Sequence, residues 1–151
     1  MLSKLADVHK DKSLVFIGPF TDKEPLESDL QSKPNVHFLG SKKIEELPAY
    51  LKFFDCLLIP FKCNVLTSSI YPLKVNEYLA SGKPVVATSF SEDIRSFKDV
   101  VYVSEGHEDF ILNVHRALEE NSPVMEENRI KVSNQNTWEM RVKQFWQLLG
   151  S

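Results

Sequence analysis

The sequence has few of the features that mark secreted, metal-binding or membrane-spanning proteins. Its 151 residues include two cysteines, Cys56 and Cys63, too few for a disulfide framework and half of what a closed four-thiolate zinc site needs. No apolar run approaches the roughly 18 residues that span a bilayer, and the charged first dozen residues are unlike a signal peptide. We therefore expect a cytoplasmic protein without an integral membrane segment.

The charge balance also argues against a polyanionic partner. The chain has 18 lysines and arginines against 21 aspartates and glutamates, so no broad basic field is available to bind nucleic acid. The four histidines are scattered without ligand spacing, and we expect no metal site. A hydrophobic content of 42% and a charged content of 26% are typical of a globular protein, and the length predicts one domain over residues 1–151.

Both common glycine-rich nucleotide motifs are absent. No Gly-x-x-x-x-Gly-Lys-Ser/Thr pattern and no Gly-x-Gly-x-x-Gly pattern occurs in the sequence. These motifs supply the phosphate-binding loops of P-loop NTPases and of dinucleotide-dependent oxidoreductases. Neither class is supported.

Short apolar runs alternate with helical patterns along the chain. The continuous apolar character of the runs is typical of a parallel sheet covered on both faces. We therefore predict a three-layer α/β/α, Rossmann-like domain with a mainly parallel sheet of about five strands. The predicted strands are residues 13–18, 36–40, 56–60, 84–88 and 100–104. The predicted helices are residues 2–9, 23–31, 43–53, 72–80, 92–97, 108–120 and 125–149, the last with a break near 134–137.

Ligands of open parallel sheets bind beyond the carboxyl ends of the strands. Gly18-Pro19 and Gly40 follow two of the predicted strands, and a glycine lets a ligand approach the backbone closely. The alternative is that these glycines only make tight turns.

The segment from residue 67 to residue 82 carries the strongest signal. The hydroxyl residues Thr67, Ser68 and Ser69 precede a helix predicted to begin near Pro72, and such a helix start suits a phosphate. Lys74 adds a positive charge in the first turn. Three residues later, Glu77 can accept hydrogen bonds from vicinal hydroxyls such as those of a ribose. The alternative is a surface ion pair between Lys74 and Glu77.

Four segments resemble one enzyme family, in the same order along the chain. They are NVHFLG at residues 35–40, LPAYLKFFDCLLIPF at 47–61, YPLKVNEYLASGKPVVAT at 71–88 and NTWEMR at 136–141. Together they are similar to the C-terminal, donor-binding half of GT-B glycosyltransferases of the group 1 family. The last segment resembles the start of the family's closing helix, expected here over about residues 137–149.

The resemblance implies roles for the residues around the predicted helix. Glu77 matches the second glutamate of a family motif in which two glutamates are separated by seven residues, and this glutamate holds the nucleotide ribose. Lys74 and residues 67–71 match the diphosphate-binding turn. The position of the first glutamate is Ser69 in this chain, which puts direct contact between a carboxylate and the donor sugar in doubt.

The resemblance also implies where the nucleobase is recognised and which chemistry follows. Phe38, Leu39 and Gly40 match the nucleobase-binding segment, and Gly18 and Pro19 lie beside it. The expected substrate is a UDP- or GDP-linked sugar, with no cofactor. We expect the full-length enzyme to be a hexosyltransferase of polysaccharide biosynthesis. Its expected reaction retains the configuration of the sugar and needs no metal ion.

GT-B enzymes have two Rossmann-like halves, and the resemblance covers only the C-terminal one. The catalytic residues therefore stay unassigned, and an N-terminal half is an expected partner. The resemblance also allows peripheral membrane contact in the full-length enzyme. The family's first, central strand has no counterpart in the chain. We therefore expect residues 13–18 to pair directly with residues 56–60, or to meet a strand of another chain there.

Three alternatives to a transferase half are considered. A noncatalytic GT-B-like binding or interaction module is favoured by Ser69 at the position of the first glutamate. A sugar-nucleotide epimerase shares the architecture, but the Pro-Leu-Lys-x-x-Glu spacing and the Trp138 helix favour a transferase. A signalling receiver domain is set aside, because no aspartate ends the strand at residues 56–60 and no lysine ends the strand at 100–104.

Overall fold

Five short strands and seven α-helices make up the computed structural model, which describes residues 1–19 and 29–150. The strands are β1 (Leu14–Phe16), β2 (Val36–Phe38), β3 (Leu57–Ile59), β4 (Val85–Thr88) and β5 (Tyr102–Ser104). The helices are α1 (Leu2–Val8), α2 (Leu47–Leu51), α3 (Leu73–Ala80), α4 (Glu92–Arg95), α5 (His107–Glu119), α6 (Pro123–Gln135) and α7 (Trp138–Leu149). Two 3₁₀ turns lie at Ile44–Glu46 and Thr67–Ser69. Most of the helix predicted over residues 23–31 lies outside the described residues. The predicted Rossmann-like α/β fold class is confirmed.

The five strands are divided between two sheets. All pairings are parallel, with β1 beside β2 in one sheet and the order β3-β4-β5 in the other. The direct pairing that we expected between β1 and β3 is therefore not found in the described part of the chain. Both strands have three residues. Because so short a strand edge has few unpaired backbone groups, leaving it without a neighbouring strand costs little. Each sheet belongs to one of two compact units, Met1–Tyr50 and Leu51–Ser151.

The first unit packs α1 against the β1-β2 sheet. Its core contains Ala6, Leu30 and Val36, with Leu14 and Phe16 packed beside them. Asn35 ties the carboxyl end of α1 to the start of β2, since its side-chain amide donates to the carbonyl oxygens of three residues at that end. These acceptors are Ala6 (3.0 Å), His9 (3.1 Å) and Lys12 (3.1 Å). One amide thus satisfies carbonyl groups at the helix end, which would otherwise be unpaired, and in the turn that follows it.

The second unit covers its three-stranded sheet with helices on both faces. Val85 and Ala87 point to one face of β4 and share a hydrophobic cluster with Val75 and Leu79 of α3. Val86 points to the opposite face and is equally buried. Because α5 packs against β4 and β5, the order of layers is helix, sheet, helix. α3 therefore covers one face of the sheet.

Side-chain caps set the starts of the last helices. The Ser122 hydroxyl accepts the Met125 N–H (3.4 Å) at α6, and the Thr137 hydroxyl accepts the Met140 N–H (3.3 Å) at α7. Serine and threonine are favoured at this position because their side-chain oxygens satisfy N–H groups of the first turn. α6 packs along α3.

None of the helices in the described residues is long and apolar enough to cross a membrane.

Candidate functional site

Two glycine turns lie side by side in the first unit, after β1 and β2. The Gly18 N–H donates to the Gly40 carbonyl oxygen (3.1 Å), and the Leu39 N–H donates to the Phe16 carbonyl oxygen (2.9 Å). Gly40 has a φ of +66°, a backbone conformation that glycine adopts without strain. The structure thus brings Gly18 and Pro19 next to the predicted nucleobase segment.

The side chains of this segment are partly accessible. Phe38 is 37% exposed and Leu39 is 39% exposed. The Phe38 ring stacks on Phe16, with ring centroids 4.9 Å apart and an interplanar angle of 12°. A backbone turn with a flat aromatic ring and an exposed leucine beside it can accept a planar, partly apolar group.

In the second unit, α3 carries both of the predicted charged residues. Lys74 and Glu77 are exposed, and neither makes a hydrogen bond or ion pair with any residue the structure describes. The surface ion pair that was the alternative interpretation is therefore not formed. Both side chains are available to a ligand that offers a negative group to Lys74 and hydroxyl groups to Glu77.

The hydroxyl groups before α3 differ in what they bond. Thr67 donates to the Lys62 carbonyl oxygen and accepts the Asn64 N–H (3.0 Å), and Ser68 donates to the Val65 carbonyl oxygen (2.8 Å). These local bonds shape the turn and use both hydroxyl protons. Ser69 is exposed, and its hydroxyl has no partner within the described ranges. Among these three hydroxyl groups, that of Ser69 alone keeps its proton for a ligand.

The first turn of α3 offers fewer free N–H groups than the sequence suggests. The Leu73 N–H donates to the Tyr71 carbonyl oxygen (2.9 Å), and the Val75 N–H donates to the Pro72 carbonyl oxygen (2.9 Å). Pro72 has no N–H. Lys74 therefore provides the remaining N–H of this turn.

A network around Tyr71 was missed at the sequence level. Arg141 donates to the Tyr71 hydroxyl oxygen, and its guanidinium carbon lies 4.6 Å from the centroid of the Tyr71 ring. The side-chain amide of Asn76 donates to the same hydroxyl oxygen (3.1 Å), and Asn136 accepts from Arg141 (3.1 Å). A cavity of about 300 Å³ adjoins this network. The signal was the 136–141 segment, which indicated only a closing helix.

No cluster of three or more histidine, cysteine, aspartate or glutamate residues that could hold a metal ion occurs in residues 1–19 and 29–150.

The fold agrees with comparisons to known proteins. Parallel strands alternating with helices, and a helix that exposes a lysine and a glutamate, define an α/β domain of the kind that binds ligands at its strand ends. The sequence model described as "Glycosyl transferases group 1" matches residues 1–120. The chain therefore belongs to the group 1 glycosyltransferase family.

A curated relative extends the similarity over the rest of the chain. It is named "Putative teichuronic acid biosynthesis glycosyltransferase TuaH", from Bacillus subtilis (strain 168). It is 28% identical over 155 residues, which cover 99% of this chain and 39% of the relative. The chain thus spans about two fifths of the length of that relative.

Proposed function

We propose that this chain is the donor-binding domain of a glycosyltransferase and binds a nucleoside-diphosphate sugar. The observation that carries the proposal is the pair of exposed side chains on α3, Lys74 and Glu77, which make no ion pair with each other or with another described residue. Family membership supports the proposal, since group 1 glycosyltransferases transfer sugars from such donors.

Each part of the donor has a proposed contact. Lys74 and the Ser69 hydroxyl bind the diphosphate, while Thr67 and Ser68 hold the turn in shape. Glu77 accepts hydrogen bonds from the ribose hydroxyls. A nucleobase contact by residues 38–40, Gly18 and Pro19 is implied by the resemblance and stays a separate prediction for the first unit.

The proposed chemistry is glycosyl transfer by the full-length enzyme. The bond between the anomeric carbon of the sugar and the diphosphate oxygen breaks, the acceptor hydroxyl oxygen forms the new bond to the anomeric carbon, and the hydroxyl proton passes to the leaving diphosphate. Lys74 stabilises the negative charge that develops on the leaving diphosphate, in place of a metal ion. The name of the relative refers to teichuronic acid biosynthesis, and we propose a role in polysaccharide biosynthesis and transfer with retention of configuration.

Titration of the 151-residue chain with UDP, GDP and inorganic pyrophosphate tests the binding proposal. Lys74→Ala is expected to weaken UDP or GDP and pyrophosphate about tenfold or more, because a hydrogen bond to a charged group contributes roughly 1.5–3 kcal/mol. Glu77→Ala is expected to weaken the nucleotide but not pyrophosphate, which has no ribose. Isothermal titration calorimetry measures these dissociation constants.

Lys131→Ala and Glu127→Ala are matched controls, because both residues are exposed on α6. They should bind like the unaltered chain. The proposal is wrong if neither nucleotide binds at millimolar concentration, or if the α3 variants and the controls bind equally. Binding without sugar transfer by the full-length protein would instead favour the noncatalytic module that Ser69 suggests.

A further inference from the structure

The two last helices hold α3 at three places. Arg129 of α6 donates to the carbonyl oxygen of Gly82 just beyond the carboxyl end of α3 (3.0 Å), and Ser133 of α6 donates to the Asn76 carbonyl oxygen in its middle (3.0 Å). Arg141 of α7 contacts Tyr71 before its amino end. All three residues follow residue 120, where the match to the family model ends.

The contact at the amino end involves the residue that leads into the first turn of α3, where Lys74 lies. Tyr71 immediately precedes Pro72, the residue that caps α3, and its carbonyl oxygen accepts the Leu73 N–H (2.9 Å). Its ring lies under the Arg141 guanidinium, and its hydroxyl oxygen accepts from both Arg141 and Asn76. Tyr71 is thus fixed by its main chain to the first turn of α3 and by its side chain to α7.

The chain on the other side of this turn offers little support. Val65 is 90% exposed and Leu66 is 77% exposed, so these apolar side chains do not pack onto the core. The bonds made by Thr67 and Ser68 stay within the loop. Val75 of the first turn is buried in the core cluster, and Tyr71 packs against the same cluster. The Tyr71 contact therefore adds to this packing in positioning the first turn of α3, and it contributes more than the loop before it.

We propose that Arg141 is a positioning residue for the donor-binding turn. Through Tyr71 it fixes the first turn of α3 and so places Lys74 against the donor diphosphate. Arg141 itself does not touch the donor. This inference rests on the proposed function, and it assigns a role in donor binding to a helix outside the matched family model.

The test measures UDP and GDP affinity, and thermal unfolding, in single and double variants of the 151-residue chain. Arg141→Met and Tyr71→Leu are each expected to raise the dissociation constant roughly three- to tenfold, the size of losing a partly exposed hydrogen bond and a cation–π contact. Arg141→Lys keeps a cation over the ring and should recover part of the affinity. Arg116→Met, at an exposed position of α5, is the control and should bind normally.

A positioning role also predicts that the effects do not add. Since Arg141 acts through Tyr71, the double variant with Arg141→Met and Tyr71→Leu should have a dissociation constant no higher than the higher of the two single-variant values. Likewise, Lys74→Ala should lose less affinity in the Arg141→Met background, because Lys74 is already displaced there. A purely structural role would lower the melting temperature without this coupling.

The outcomes separate this inference from the function on which it rests. If the unaltered chain binds neither nucleotide, both are overturned. If it binds and Lys74→Ala weakens binding, while Arg141→Met and Tyr71→Leu stay within twofold of the unaltered chain, only the positioning role is overturned. Full additivity with Lys74→Ala would overturn it as well.

Discussion

Replacement of Arg129 by alanine is expected to lower the free energy of unfolding by about 3 kcal/mol. Arg129 is 1% exposed and is the largest fully buried side chain among the described residues. Its Nη1 donates to the Gly82 carbonyl oxygen (3.0 Å) and to the side-chain oxygen of Asn121 (2.8 Å). Alanine would leave a cavity between α6 and α3 and would leave a buried carbonyl group without its donor. Urea denaturation followed by circular dichroism measures the loss.

The burial of this guanidinium has a cost that the substitution also removes. No carboxylate of the described residues lies within ion-pair distance of Arg129, and burial lowers its pKa below the ordinary arginine value. Because burying a charge is unfavourable, Arg129→Met, which fills the space without the charge, is expected to cost less than half as much as alanine. Arg116→Ala should stay within about 0.5 kcal/mol of the unaltered chain. A loss below 1 kcal/mol in Arg129→Ala would contradict the tethering role.

The role of Arg129 shows why part of the packing could not be predicted from the sequence. The strands were predictable because β3 and β4 are continuous apolar runs, β3 followed by Pro60 and β4 preceded by Pro84. α6 was predictable as a helix, but the face it buries was not. Its buried residues, Arg129 and Ser133, are polar, so apolar periodicity carries no signal there. Their acceptors lie 47 and 57 residues away in the chain.

The division of the strands into two sheets was also beyond sequence reasoning. Apolar runs indicate which residues form strands, whereas neighbours in a parallel sheet are set by long connections. Residues 13–18 and 56–60 carry the same kind of apolar signal. Nothing in either run distinguishes a partner such as β2 from a partner such as β4.

The candidate site was predictable to different degrees. Spacing on a helix suffices to place Lys74 and Glu77 near each other, because residues three apart share a face. Hydroxyl groups in a loop are less predictable, since serine and threonine also bond the local backbone. Thr67 and Ser68 do so, and Ser69 does not. The Tyr71–Arg141 contact joins residues 70 apart and has no local signature.

Alkaline pH is expected to destabilise the protein, and Cys56 is expected to account for a large part of the effect. Burial raises the pKa of the Cys56 thiol from 9.0 to about 12, with Asp55 acting in the same direction and Arg129 against it. The unfolded chain therefore loses this proton near pH 9, while the folded chain keeps it. Above pH 9 the unfolded state binds fewer protons, so the free energy of unfolding falls as pH rises toward 12 and is unaffected by this group below pH 9.

The size and source of the alkaline effect can be separated by two cysteine variants. At about pH 10.5 the thiol contributes a loss of about 2 kcal/mol, since one pKa unit corresponds to 1.36 kcal/mol. Burial also raises the pKa values of Tyr78 and Tyr102, which act in the same direction and should leave a residual loss. Cys56→Val should therefore lose about 2 kcal/mol less than the unaltered chain between pH 8 and pH 10.5. Cys63→Val changes an exposed thiol and should behave like the unaltered chain, and equal losses in both variants would show that Cys56 is not protected by the fold.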